Sequence, residues 1–118
     1  MDIAIVVEGK NDRSRLRRVL DAQVPVHCTF GTPGTRQVER LLKQVGDREV
    51  YLFMDNDASG RKIRGILSDA FPDAHHMYTR RGYPGVEGTP PEYLIEQLEK
   101  AGLESYILYP EPGSYPPL

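Results

Sequence analysis

Cysteine is nearly absent from these 118 residues: Cys28, in "VPVHCTF", stands alone. One thiol can neither close an intramolecular disulfide nor build a cysteine zinc site, which fits a reducing, cytoplasmic setting. Long apolar runs are missing too. None approaches the roughly 20 residues a membrane-spanning helix needs, so no membrane partner is expected. Asp2 leads straight into an apolar segment, without the basic-then-apolar pattern of a secretory leader. Nor does charge of one sign dominate. The formal net charge is −2, which argues against a strongly basic nucleic-acid binder. That average conceals an asymmetry. Residues 1–81 hold 14 Lys and Arg against 11 Asp and Glu, whereas residues 82–118 hold one Lys against six Glu. Ordinary solvated helix faces account for such charges equally well at this level.

What is present is a repeated strand-then-helix grammar. A chain of this length has room for one core and, burying roughly 65% of its unfolded surface, folds without disulfides. Ile3 to Val7 is a continuous apolar run, the pattern of a strand covered on both faces. "NDRSRLRRVL" follows, with Leu16, Val19 and Leu20 at helical spacing and Asn11 as the expected N-cap. "VPVHCTF" reads as a second short strand and "GTPGT" as a loop. Thr35 then caps a helix with inner stripe Val38, Leu41, Leu42 and Val45. Val50 to Met54 is a third strand, and Ile63, Ile66, Leu67, Ala70 and Phe71 mark a third helix stopped by Pro72. "HHMYTR" supplies a fourth strand. "TPPEYLIEQLEKAG" is the best-defined helix, with Thr89 and Glu92 as a capping box, Pro90 at the first helical position and Gly102 at the end. "YILY" is expected to add a short strand. The alternation predicts an α/β domain over residues 1–109: a parallel sheet of about four strands with helices on both faces. Residues 110–118, "PEPGSYPPL", hold four prolines and read as a C-terminal tail without regular structure.

Two strand ends carry the chemistry. The first apolar run stops at Glu8, followed by Gly9 and Lys10; the third stops at Asp55, followed by Asp57, Gly60, Arg61, Lys62 and Arg64. Ligands of open α/β sheets gather beyond the carboxyl ends of the strands. If the first and third strands are neighbours, about 4.8 Å apart, the three carboxylates converge on a small volume. Two unit charges 4 Å apart repel by about 4 kcal/mol at an effective dielectric of 20, and a divalent cation relieves this most completely. Oxygen ligands favour Mg²⁺ or Mn²⁺ over zinc. Lys10, Arg61 and Lys62, with the other arginines nearby, suit a phosphate. An isolated D-x-D after a strand is a common polar turn; the matching E-G-K at a second strand end is what raises it above that reading.

"VVEGKND" with "LFMDNDASGRKI" resembles the Toprim domain family, whose signature is a glutamate after the first strand and a D-x-D, usually followed by a glycine, after a later one. Glu8, Asp55, Asp57 and Gly60 match it in order and spacing, and "FGTPGTRQV" is similar to the Gly-Thr loop of primases. The resemblance covers roughly residues 2 to 81. "GYPGVEGTPPEYLIEQL" is further similar to the segment after the Toprim D-x-D in the ribonuclease that matures 5S ribosomal RNA, an enzyme with an additional domain. The resemblance implies a Rossmann-like fold with Mg²⁺ held by the aspartates. It also implies Glu8 as general acid or base in phosphodiester chemistry, by a nuclease or a nucleotidyl transferase.

On that reading Glu8, Asp55 and Asp57 are the candidate catalytic and metal-binding residues. Lys10, Gly60, Arg61, Lys62 and Arg80 are candidate phosphate or nucleic-acid contacts, and Glu87 is an accessory candidate. The expected partner is RNA or DNA, with a protein partner supplying specificity as a further option. Two alternatives stay open: a non-catalytic nucleic-acid or protein binding module, and small-molecule phosphoryl transfer with Asp55 as nucleophile. His75 and His76, adjacent on a strand, face opposite ways and read as structural. Tyr106, Tyr109 and Tyr115 could stack on bases, although packing against the body is the plainer role.

Overall fold

The computed structural model describes residues 2–78 and 90–110. Four strands, β1 (Ile3–Val7), β2 (Val26–Cys28), β3 (Glu49–Met54) and β4 (His75–Tyr78), form one sheet in the order β2-β1-β3-β4. Every pairing is parallel, with Val6 opposite Leu52 and Val7 opposite Cys28. The helices are α1 (Lys10–Arg17), α2 (Thr35–Val45), α3 (Ala58–Ala70) and α4 (Pro91–Lys100).

The strand order explains the layers. The chain steps from β1 to β2 in one direction, then back across β1 to β3 and on to β4. Right-handed crossovers put α1 on one face and α2 and α3 on the other. Side-chain alternation along the strands feeds two cores. Ile3, Ile5, Val7, Tyr51, Phe53 and Met77 pack with Leu16 of α1 and Leu94, Ile95 and Leu98 of α4. Ala4, Val6, Val50, Leu52 and Met54 pack with Leu41 and Val45 of α2 and Ile63 and Leu67 of α3. Strands apolar on both faces are therefore required, as the unbroken runs in the sequence indicate.

Several expectations are corrected. The N-cap of α1 is Gly9, not Asn11, and the Gly9 N–H donates to Asp12 Oδ2 at 2.9 Å. The helix starts early because the strand ends directly at Glu8-Gly9. It also ends at Arg17; Val19 and Leu20 are buried from the turn beyond it. Gly34 rather than Thr35 caps α2, and Leu42 lies 41% exposed, outside the inner stripe. Pro91, not Pro90, opens α4; Thr89 lies outside the described residues. "YILY" forms no sheet strand. Glu104–Tyr106 is a short 3₁₀ turn, and Ile107 makes only a single antiparallel bridge, to Leu20 outside the sheet. Residues 111–118 of the tail also lie outside the described set.

Candidate active site

The order of strand addition reverses between β1 and β3, and these parallel strands end at the same edge. Such a switch point opens a crevice between diverging crossovers. Glu8 immediately follows β1 and Asp55 immediately follows β3, on hydrogen-bonded neighbours. Burial first, then the charges of Asp55, Asp12 and Asp57, push the Glu8 carboxyl above its ordinary value near 4.5. Glu8 thus lies within the field of both aspartates. Asp12 is a member that the sequence reading did not single out; its place in the first turn of α1, four residues after Glu8, was the available signal.

Asp57 has a second task. Its extended backbone makes it the N-cap of α3, and Oδ1 accepts the Gly60 N–H at 2.7 Å. That bond fixes the carboxylate at the N-terminus of α3. Gly60 is buried against the chain it follows: a Cβ there would lie 1.9 Å from the Asp55 carbonyl oxygen. Glycine is therefore needed for α3 to start so close to β3, and its N–H is committed to Asp57. Lys10 opens α1, and Arg61 and Lys62 lie in the first turns of α3, all exposed. Cations at helix N-termini oppose the macrodipole, a cost that an anion bound between them would offset. Arg80 and Glu87 lie outside the described residues.

Arg64 does not stand with the exposed cations Lys10, Arg61 and Lys62. It is 8% exposed, and its guanidinium donates to the carbonyls of Leu52 (3.3 Å), Met54 (3.1 Å) and Met77 (2.8 Å). It also meets His76 Nδ1 at 2.9 Å and lies 4.1 Å from the Tyr78 ring centroid. An arginine can only donate, so Nδ1 accepts and the His76 proton sits on Nε2, facing Ser68 Oγ at 3.4 Å. His75 points the other way, stacked on Tyr51 with ring centroids 4.6 Å apart and paired with Glu49. The opposed, structural histidines are as expected.

The donor set fits a magnesium-type cation in chemistry: oxygen ligands only, with mutual repulsion left to neutralise. Among the described residues no three carboxylate, imidazole or thiolate side chains are gathered into a ready cage. The convergence is looser than the sequence argument anticipated. Mg²⁺ is commonly held by one or two protein carboxylates, so Asp55 and Asp57 suffice in number for such an ion.

Sheet order and an acidic switch point define a doubly wound α/β domain with carboxylates at the β1 and β3 ends. The Toprim domain model matches residues 3–81, and the chain belongs to that family. A solved structure, the small TOPRIM domain protein from Bacillus stearothermophilus, superposes with a TM-score of 0.78 at 32% identity, covering 97% of this chain and 98% of that one. "Uncharacterized protein YusF" of Bacillus subtilis (strain 168) is 31% identical over 94% of this chain and 76% of its own length. Ribonuclease M5 1 of Ligilactobacillus salivarius (strain UCC118) is 35% identical over 80% of this chain, which spans 55% of that relative. Ribonuclease M5 of Fusobacterium nucleatum is 34% identical, with 56% of its length spanned. No helix of the described residues is long and apolar enough to cross a membrane.

Proposed function

We propose that this domain is a Mg²⁺- or Mn²⁺-dependent nuclease acting on nucleic-acid phosphodiesters. The observation that carries the reading is Glu8, held above its ordinary proton affinity beside Asp55 and Asp57 at the switch point of a Toprim sheet. Relatives that bear the name ribonuclease M5 support it. Asp55 and Asp57 would hold the cation, which when bound stabilises charge on the attacking and leaving oxygens. Glu8, with its raised affinity, takes or returns the proton at its carboxylate oxygen. Lys10, Arg61 and Lys62 draw the phosphate backbone to the edge.

The test is cleavage of single- and double-stranded RNA and DNA with Mg²⁺ or Mn²⁺. Wild type should yield product, and Glu8→Gln should lower the rate by about 10²- to 10⁴-fold, the usual contribution of a positioned acid or base. Undiminished activity in both Glu8→Gln and Asp55→Asn sinks the proposal. A second reading, binding without turnover, draws on the absence of a ready cage among the described residues. It predicts salt-dependent association with nucleic acid and no product.

A further inference from the structure

Phe30 stands at the same sheet edge as the acids, and neither packing nor turn chemistry accounts for it. The chain leaves β2 alongside β1: the Thr29 N–H donates to the Val7 carbonyl at 3.0 Å and the Phe30 N–H to the Glu8 carbonyl at 2.6 Å. The backbone of Phe30 is thus tied to the residue proposed to move the proton. Its φ is 54°, and it is the one non-glycine residue among those described with a positive φ. Glycine or asparagine adopts that conformation with little strain, whereas a bulky side chain there is a genuine outlier. Gln37 of α2 holds the distortion in place, its Nε2 donating to the Thr29 carbonyl at 2.6 Å. The ring itself is 67% exposed, more than any other large apolar side chain described. A strained backbone tied to Glu8 thus carries a side chain left largely in solvent.

Phe30 borders a cavity of about 230 Å³ lined also by Thr29, Pro33, Gln37 and Arg40. Thr29 is 2% exposed, and its Oγ1 has no hydrogen-bond partner in the structure. Arg13, close enough for its charge to act on Cys28, adds a second cation on the α1 side. An exposed aromatic beside guanidinium groups suits a nucleotide: stacking for the base and charge for the phosphate.

We propose that Phe30 is a stacking platform for an unpaired nucleobase next to the phosphodiester at Glu8, with Thr29 and Arg40 lining the recess it borders. This rests on the nucleic-acid reading above and narrows the substrate class. A base inside a duplex has no free face for the ring, so single strands, bulges and frayed ends are favoured over continuous duplex.

Short RNA and DNA strands carrying 2-aminopurine, or an abasic site at the same position, test this with the intact chain. The fluorophore should be quenched on binding both wild type and Glu8→Gln. Phe30→Ala should abolish the quench and weaken binding of the base-bearing strand roughly 5- to 150-fold, the range measured for one stacked base. Binding of the abasic strand should not change. Phe30→Trp should restore both signals, and Phe30→Gly, suited to φ 54°, should match alanine even if alanine disturbs the loop. Quenching and affinity that persist in both the alanine and glycine variants overturn the proposal. So does a strand that fails to bind wild type, or a Phe30→Ala effect confined to the protein's sedimentation, which would make the ring a protein contact. The two proposals fail separately: Phe30-dependent quenching without cleavage sinks only the nuclease, and Glu8-dependent cleavage indifferent to Phe30 sinks only the platform.

Discussion

Burial and the neighbouring carboxylates Asp55, Asp12 and Asp57 raise the proton affinity of Glu8 in the folded chain, and that shift has a consequence for stability. The native state holds this proton to higher pH than the unfolded chain does. Ionised Glu8 therefore weakens the fold at pH 7, and the penalty fades as pH falls through the raised value toward its ordinary one near 4.5. Glu8→Gln should raise the melting temperature at pH 7 and leave it nearly unchanged at pH 4; an equal gain at both would show that charge is not the cause. The strand-end positions of Glu8 and Asp55 were legible in sequence because carboxylates at the ends of apolar runs are conspicuous. Phe30 was not, since an aromatic in a Gly- and Pro-rich loop reads as incidental until its φ and exposure are known. Two of the tyrosines weighed for base stacking have other surroundings. Tyr106 lines a cavity with Asp2 and Pro25, at the start of the strands, and the exposed Tyr109 donates to Glu99 at 2.9 Å. Tyr115 is outside the described residues.

Among the elements, α3 does more than cover the sheet. Gly60, Ile63, Arg64 and Leu67 form its buried stripe, spaced at three and four residues. Arg64 occupies a core position by that spacing, and the periodicity of Ile63 and Leu67 was the signal that placed it inward. Charge alone made it look like a phosphate ligand. In the fold it clamps the ends of β3 and β4 through three carbonyls, so the strand end that carries Asp55 is braced from behind. Arg64→Ala should destabilise the domain by about 3 kcal/mol, on the order of 1 kcal/mol or more for each buried carbonyl left without its donor. Arg64→Lys should recover little, because one ammonium cannot reproduce the fork. Denaturant unfolding checks both; a loss under about 1 kcal/mol for alanine would remove the bracing role.

For the whole molecule, the switch-point topology brings residues 8 and 55 together while the cores stay on opposite faces of the sheet. Mutual repulsion at that edge should make the proposed cation stabilising. Adding Mg²⁺ to 100 times its dissociation constant should add about 2.7 kcal/mol to wild type, with EDTA reversing it. Asp55→Asn should lose most of that gain, and an equal gain in the variant would place the metal elsewhere. Local sequence determined which segments became strands and helices, and where the acids fall along the chain, because apolar periodicity and Gly/Pro punctuation act over a few residues. Strand order, the inward turn of Arg64, the left-handed backbone of Phe30 and the spacing of the carboxylates were decided only by the tertiary structure. Each depends on which distant segment lies alongside, and no short stretch of chain carries that information.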